Sequence, residues 1–71
     1  MSSSELSQRE RGLYDFIKRY IAENGYGPSH AEISKATGIG VTSVNYHLGR
    51  LRAKGLLTWQ KGYARTLRLV G

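Results

Sequence analysis

Between Thr42 and Arg52 the chain sets out two hydroxyls, an amide, a phenol and two guanidinium groups, on Thr42, Ser43, Asn45, Tyr46, Arg50 and Arg52. None of these is an acid, and none is a good proton acceptor at neutral pH. Their chemistry is hydrogen bonding and positive charge. Short polar groups backed by cations suit a duplex groove, where base edges differ in donors and acceptors and the walls are phosphate. Catalysis has less to work with. His30 and His47 are the only histidines, there is no cysteine, and no acid follows Glu32. Neither a metal cage nor a nucleophile and its base finds partners at suitable spacing. Asp15, placed among Arg11 and Arg19 four residues away on either side, reads as a surface ion-pair partner. "GYG" and "GIG" lack the spacing and the lysine of a phosphate loop. No catalytic residue, metal or cofactor is expected.

The polar set needs a rigid support, and the apolar residues between its members supply one. Val44, Leu48 and Leu51 recur at helical spacing, which predicts a helix over 41–54 with these three underneath. At about 100° per residue, Thr42, Tyr46, Gly49 and Ala53 then face outward, Ser43 and Arg50 line one flank, and Asn45 and Arg52 line the other. His47 flanks the apolar stripe and is expected to bond to backbone. An exposed helix face ordinarily carries strong helix formers such as Glu, Lys, Gln and Ala. This one does not, so its residue types answer to something other than helix stability.

Upstream, Ser7 and Glu10 form a capping box that opens a first helix carrying Leu13, Phe16, Ile17, Tyr20 and Ile21 and ending at Asn24-Gly25. "GYGPS" is a turn, with Tyr26 a core or corner residue beside Pro28. Ser29 and Glu32 open a second, short helix with His30 in its first turn and Ile33 and Ala36 facing inward. Gly38 stops it, Ile39 plugs the core from the corner, and Gly40 caps the third helix. After Gly55 the period falls to two. "LLTWQ" and "TLRLV" read as antiparallel strands joined by the basic loop "KGYAR". Leu67 and Leu69 share a face opposite Arg68, and Trp59 packs under the hairpin. The expected class is α+β, mainly α. Three helices followed by a two-stranded β-hairpin wing make a winged helix-turn-helix, with residues 1–6 a flexible leader and 7–71 the domain.

The net charge is +6 and the pI about 10.1. The first 32 residues hold all five acids against four cations, a net of −1, whereas residues 33–71 hold seven cations and no acid. So lopsided a charge points to a polyanion, with nucleic acid ahead of an anionic membrane surface. No apolar run approaches membrane-spanning length, and "MSSSELSQRER" has no signal-peptide core. The chain is expected to be soluble and cytoplasmic, associated with the nucleoid.

These readings converge on sequence-specific binding of double-stranded DNA by a transcriptional regulator, a repressor rather than an activator. Helix 41–54 enters the major groove, where Thr42, Ser43, Asn45 and Tyr46 read bases. Ser29, Lys35, Arg50, Arg52 and Lys54 meet phosphates. Lys61, Tyr63 and Arg65, in the wing over 60–65, touch the backbone or minor groove. A small module of this kind is expected to need a homodimer on DNA, or a tether to a further domain, for useful affinity. The alternative is a protein-interaction module whose basic half docks an acidic partner. Neither reading calls for a small-molecule substrate.

The stretch "LYDFIKRYIAENGYGPSHAEIS" resembles the N-terminal DNA-binding domain of the LexA repressor family, which pairs such a first helix with a glycine-proline turn and a helix opening in Ser or Thr. Further on, "GIGVTSVNYHL" is one residue shorter between Gly38 and Leu48 than the LexA pattern and is closer to other bacterial winged-helix regulators, as is the following "RAKGLL". The resemblance implies the fold over residues 7–70 without LexA's operator preference. It also implies base-reading positions at Thr42, Ser43, Asn45 and Tyr46, flanking positions at Arg50 and Arg52, and a wing from Lys61 to Arg65. LexA-like repressors carry in addition a C-terminal self-cleaving and dimerisation domain. Its absence here is expected of either an excised DNA-binding domain or a small stand-alone regulator.

Overall fold

The computed structural model describes residues 7–60, 62 and 65–70; the expected leader, and Lys61 and Tyr63 of the expected wing, lie outside the described residues. Helix α1 (Gln8–Asn24) opens with both halves of the capping box in place: the Glu10 amide donates to Ser7 Oγ at 3.1 Å and the Ser7 amide to Glu10 Oε1 at 3.3 Å. Helix α2 (His30–Thr37) repeats the device, with Glu32 N to Ser29 Oγ at 3.1 Å and Ser29 N to Glu32 Oε1 at 2.9 Å. These reciprocal bonds satisfy amides that a helix start otherwise leaves bare.

Gly38 ends α2 at φ 75°, a left-handed conformation that costs glycine nothing. Its turn carries the chain within three residues to helix α3 (Val41–Ala53). Ser34 Oγ donates to the Ile39 carbonyl at 2.6 Å and the Ile39 amide donates to Thr37 Oγ1 at 3.3 Å, so the turn is pinned from α2. Helix, tight turn, helix is thus held by side chains as well as by glycine.

The core takes Leu13 and Ile17 from α1, Ile33 from α2, Val44, Leu48 and Leu51 from α3, and Leu57 and Leu67 from the hairpin, none more than 3% exposed. Each buried side chain of this size contributes about 1.5–3 kcal/mol. The three on α3 therefore outweigh the helix-propensity penalty of its outer residues, a few tenths of a kcal/mol apiece and about 1 kcal/mol for Gly49. Tertiary burial, rather than propensity, makes α3 a helix. Ala36 is exposed, contrary to the expectation that it faces inward. Ile39, brought round by the Gly38 turn, packs against the core at that end of α2.

Strands β1 (Leu57–Thr58) and β2 (Arg68–Leu69) pair antiparallel, Leu57 opposite Leu69 and Thr58 opposite Arg68. The ladder is shorter than the alternating pattern predicts. Toward the hairpin tip the Thr66 hydroxyl replaces a strand partner, accepting from Gln60 N at 2.8 Å and donating to Gln60 O at 3.2 Å. Toward the open end a further bond, Val70 N to Leu56 O at 3.0 Å, extends the pair. The hairpin is anchored below by Gly27, where any Cβ would collide with the Leu67 carbonyl. Glycine here allows the turn before α2 and the hairpin to touch.

Candidate nucleic-acid interface

The side of α3 away from the core is open. Thr42, Asn45, Gly49 and Ala53 are exposed and Tyr46 is 61% exposed, while Ser43 is half-buried. A Cβ built on Gly49 meets nothing within 4 Å, so no neighbour requires the glycine. The first turn of α3 has no acid, and its Gly40 cap provides no side chain. The positive end of the helix is therefore uncompensated.

One flank of α3 is governed by Glu10. Although charged, Glu10 is 2% exposed, and its carboxylate accepts from Arg50 Nε at 2.5 Å and Lys54 Nζ at 3.1 Å. Burial pushes this carboxyl up, but the bonds from Arg50, Lys54 and the Ser7 amide outweigh it and hold the group at about 2, well below the ordinary 4.5. The same bond raises Arg50 above its usual range. The Arg50 guanidinium also stands 5.9 Å from the centre of the Tyr46 ring. His47 does not bond to backbone as expected. Its Nδ1 is buried 3.7 Å from Glu10 Oε2 with no hydrogen-bond partner, because the carboxylate's nearer sites are taken by the two stronger cations.

The other flank faces a groove of about 560 Å³ between α3, the start of α2 and the hairpin, lined by Ser29, His30, Asn45, Arg52, Trp59 and Gln60 among others. His30 Nδ1 donates to Asn45 Oδ1 at 2.7 Å, and the His30 ring meets the half-buried Trp59 edge-on at 5.3 Å. Arg52 lies over the Trp59 ring at 4.7 Å, a cation–π distance. Trp59 thus packs within the hairpin's base as expected, and also steadies two groups of the interface. Ser29 is at the groove but its hydroxyl caps α2, and Lys35 is exposed on the last turn of α2.

Arg65, expected in the wing, is engaged by side chains of α1 and α2. Its guanidinium clasps Glu32 with two bonds, 2.9 and 2.7 Å, donates to the Tyr20 hydroxyl at 3.1 Å and lies 5.0 Å from the Tyr26 ring centre. Arg65 adopts φ 62°, an uncommon conformation for a side-chain-bearing residue, in making this clasp. The Glu32 carboxyl is lowered, chiefly by Arg65 and then by the Ser29 amide, and Arg65 is raised in turn. Tyr26 is a corner residue, 46% exposed and edge-on to Tyr20, rather than part of the core. Asp15 is exposed and has no ion-pair partner among the described residues.

Among the described residues, Arg50, Lys54 and Arg65 of the acid-free half are therefore paired by acids from the other half. Sequence reasoning saw Glu10 and Glu32 only as capping residues. For Glu10 a signal was present, since it precedes Leu13 by three and Ile17 by seven and so falls on the buried stripe of α1. His30 and Trp59 as groove residues had no comparable signal, because only the fold brings α2, α3 and β1 together there. Among the described residues no group of three or more His, Cys, Asp or Glu side chains is gathered to hold a metal, and no helix is long and apolar enough to cross a membrane.

Comparison with known proteins places this geometry. The family model described as the LexA DNA binding domain matches residues 3–66. The LexA repressor of Carboxydothermus hydrogenoformans is 41% identical over 71 residues, 99% of this chain and 35% of that protein. The LexA repressor of Listeria welshimeri is 44% identical over 54 residues, 75% of this chain and 26% of that protein. The LexA repressor of Herpetosiphon aurantiacus is 38% identical over 68 residues, 94% and 32% of the two chains. The chain thus spans about a third of the length of these relatives. Matched by that model over nearly all of its residues, and carrying the helix-turn-helix and hairpin described above, the chain belongs to the LexA DNA-binding domain family.

Proposed function

We propose that residues 7–71 are the sequence-specific duplex-binding module of a transcriptional repressor, with α3 in the major groove and the hairpin tip against the backbone or minor groove beside it. The observation that carries this reading is the outer face of α3. Thr42 and Tyr46 stand exposed beside the small Gly49 and Ala53, no acid occurs on the helix, and Arg50 and Arg52 are each held on a separate flank by another element. Small residues permit close approach, and fixed cations on both sides suit two phosphate walls.

The base readers are Thr42, Ser43, Asn45 and Tyr46. With Oδ1 of Asn45 accepting from His30, its Nδ2 is turned to donate, which fits purine N7, guanine O6 or thymine O4. Lys35, Arg50 and Arg52 serve the phosphates together with Ser29, and Lys61 and Tyr63 serve the wing contact. Names of the relatives support the repressor role: each is a LexA repressor. The module works without catalysis or cofactor, in the cytoplasm, and reaches working affinity as a homodimer on adjacent half-sites or through a tether to a further domain.

Fluorescence anisotropy of a labelled duplex across a salt series tests the reading. About four or five neutralised phosphates give a slope of log K against log salt of roughly −3 to −5. Binding indifferent to salt, or no binding to any duplex at low salt, contradicts it.

A further inference from the structure

We infer that Val41 and Asn45 together read a thymine, Asn45 donating to its O4 while the Val41 methyls meet its 5-methyl group, with His30 positioning the Asn45 amide. The inference rests on the duplex-binding reading above and deepens it, choosing one base among those that a donor at Asn45 fits. Val41 is not one of the residues that the sequence pattern marks for base reading. It is the first residue of α3, is 46% exposed, and follows a Gly40 cap that has no side chain to cover it. Helix stability does not call for valine at this place, because the first turn of a helix favours an acid and a β-branched residue is a mediocre helix former. The core does not call for it either, since α3 buries Val44, Leu48 and Leu51 there instead.

Asn45 follows Val41 by four residues, one turn along α3, so the two side chains are neighbours on the helix surface. Asn45 is itself constrained. His30 Nδ1 donates to Asn45 Oδ1 at 2.7 Å, and the His30 ring is braced edge-on against Trp59 at 5.3 Å. With Oδ1 so engaged, the amide offers the two hydrogens of Nδ2. A donor alone fits purine N7, guanine O6 or thymine O4. An apolar group beside the donor narrows the choice, because thymine alone sets a methyl next to its acceptor on the major-groove edge. A purine has no methyl for the valine to cover, and cytosine presents a donor where thymine has O4. Helices of this kind read bases with their N-terminal residues, which is where Val41 and Asn45 lie.

Deoxyuridine tests the pair, since it keeps O4 and lacks only the 5-methyl. In the duplex selected by the 71-residue chain, each thymine is replaced in turn and binding is followed by fluorescence anisotropy. One position is expected to lose about three- to fivefold in affinity, the effect of one methyl no longer removed from water. At that position Val41→Ala binds the thymine and deoxyuridine duplexes alike, and Val41→Thr, which keeps the branched shape and one of the two methyls, falls between. His30→Ala frees the Asn45 amide to turn, so thymine loses its advantage over adenine at the same position while the rest of the motif is read as before. A merely structural His30 would lower affinity for every duplex without changing that preference, and this result overturns its positioning role. The scan on the parent chain needs no variant to fold. A motif without thymine, a scan in which no thymine methyl matters, or a loss as large in Val41→Ala as in the parent overturns the inference. A parent chain that binds no duplex fails the duplex-binding reading itself, whereas one that binds a motif indifferent to every thymine methyl fails only the pair.

Discussion

At the scale of single residues, the ion pairs of this small domain make its stability depend on pH in a defined direction. Glu10 titrates at about 2 in the fold and near 4.5 when free. A folded-state value below the unfolded one means that the stabilisation is complete above about 4.5 and is lost as pH falls toward about 2. Glu32 is lowered as well, by Arg65 first, so both acids contribute to acid sensitivity in the same sense. Comparing the urea midpoints of the parent and Glu10→Gln isolates the Glu10 share. The parent's advantage is expected to be greatest above pH 4.5 and to close as the pH approaches 2; an advantage constant across that range would mean that no ion pair is being titrated. The Nδ1 of His47 lies 3.7 Å from the same carboxylate without a hydrogen-bond partner of its own. Polar residues at the interface are likewise held in place: His30 orients Asn45, and Trp59 backs both His30 and Arg52.

At the scale of elements, α3 is a helix whose buried side is optimised for folding and whose open side is not. Gly49 shows the conflict most directly. Nothing lies within 4 Å of a Cβ built there, so Gly49→Ala is expected to stabilise the fold by about 0.5–1 kcal/mol through helix propensity alone. If α3 approaches bases through this position, the same methyl weakens duplex binding. A higher melting temperature with weaker binding is the expected pair of results, and a gain in both would remove Gly49 from the contact surface. The helices were legible in the sequence for a physical reason. Capping boxes at Ser7 and Ser29, a left-handed glycine at Gly38 and the spacing of Val44, Leu48 and Leu51 are local signals, each determined within a few residues. What the sequence concealed depends on contacts between distant parts of the chain: Glu10 to Arg50, Glu32 to Arg65, His30 to Asn45. The hairpin fell between these cases, since its alternation was readable but its two-residue ladder reflects the Thr66 hydroxyl replacing a strand bond.

At the scale of the whole molecule, the contrast between an acid-bearing first half and an acid-free second half is partly folded away. Acids on α1 and α2 reach across to α3 and the hairpin, locking the three-helix body to both elements of the proposed interface. Membership in the LexA DNA-binding domain family agrees with the proposed duplex-binding role, in which the outer face of α3 is proposed to set the preference among sequences. The central claim is therefore that this face reads bases, and selection from a random duplex library measures it most directly. The account predicts an enriched motif for the parent chain, with Asn45→Ala losing about 1–3 kcal/mol of discrimination at one position of it while general affinity persists. No enriched motif for the parent, or the same motif read equally well without the Asn45 amide, would contradict it.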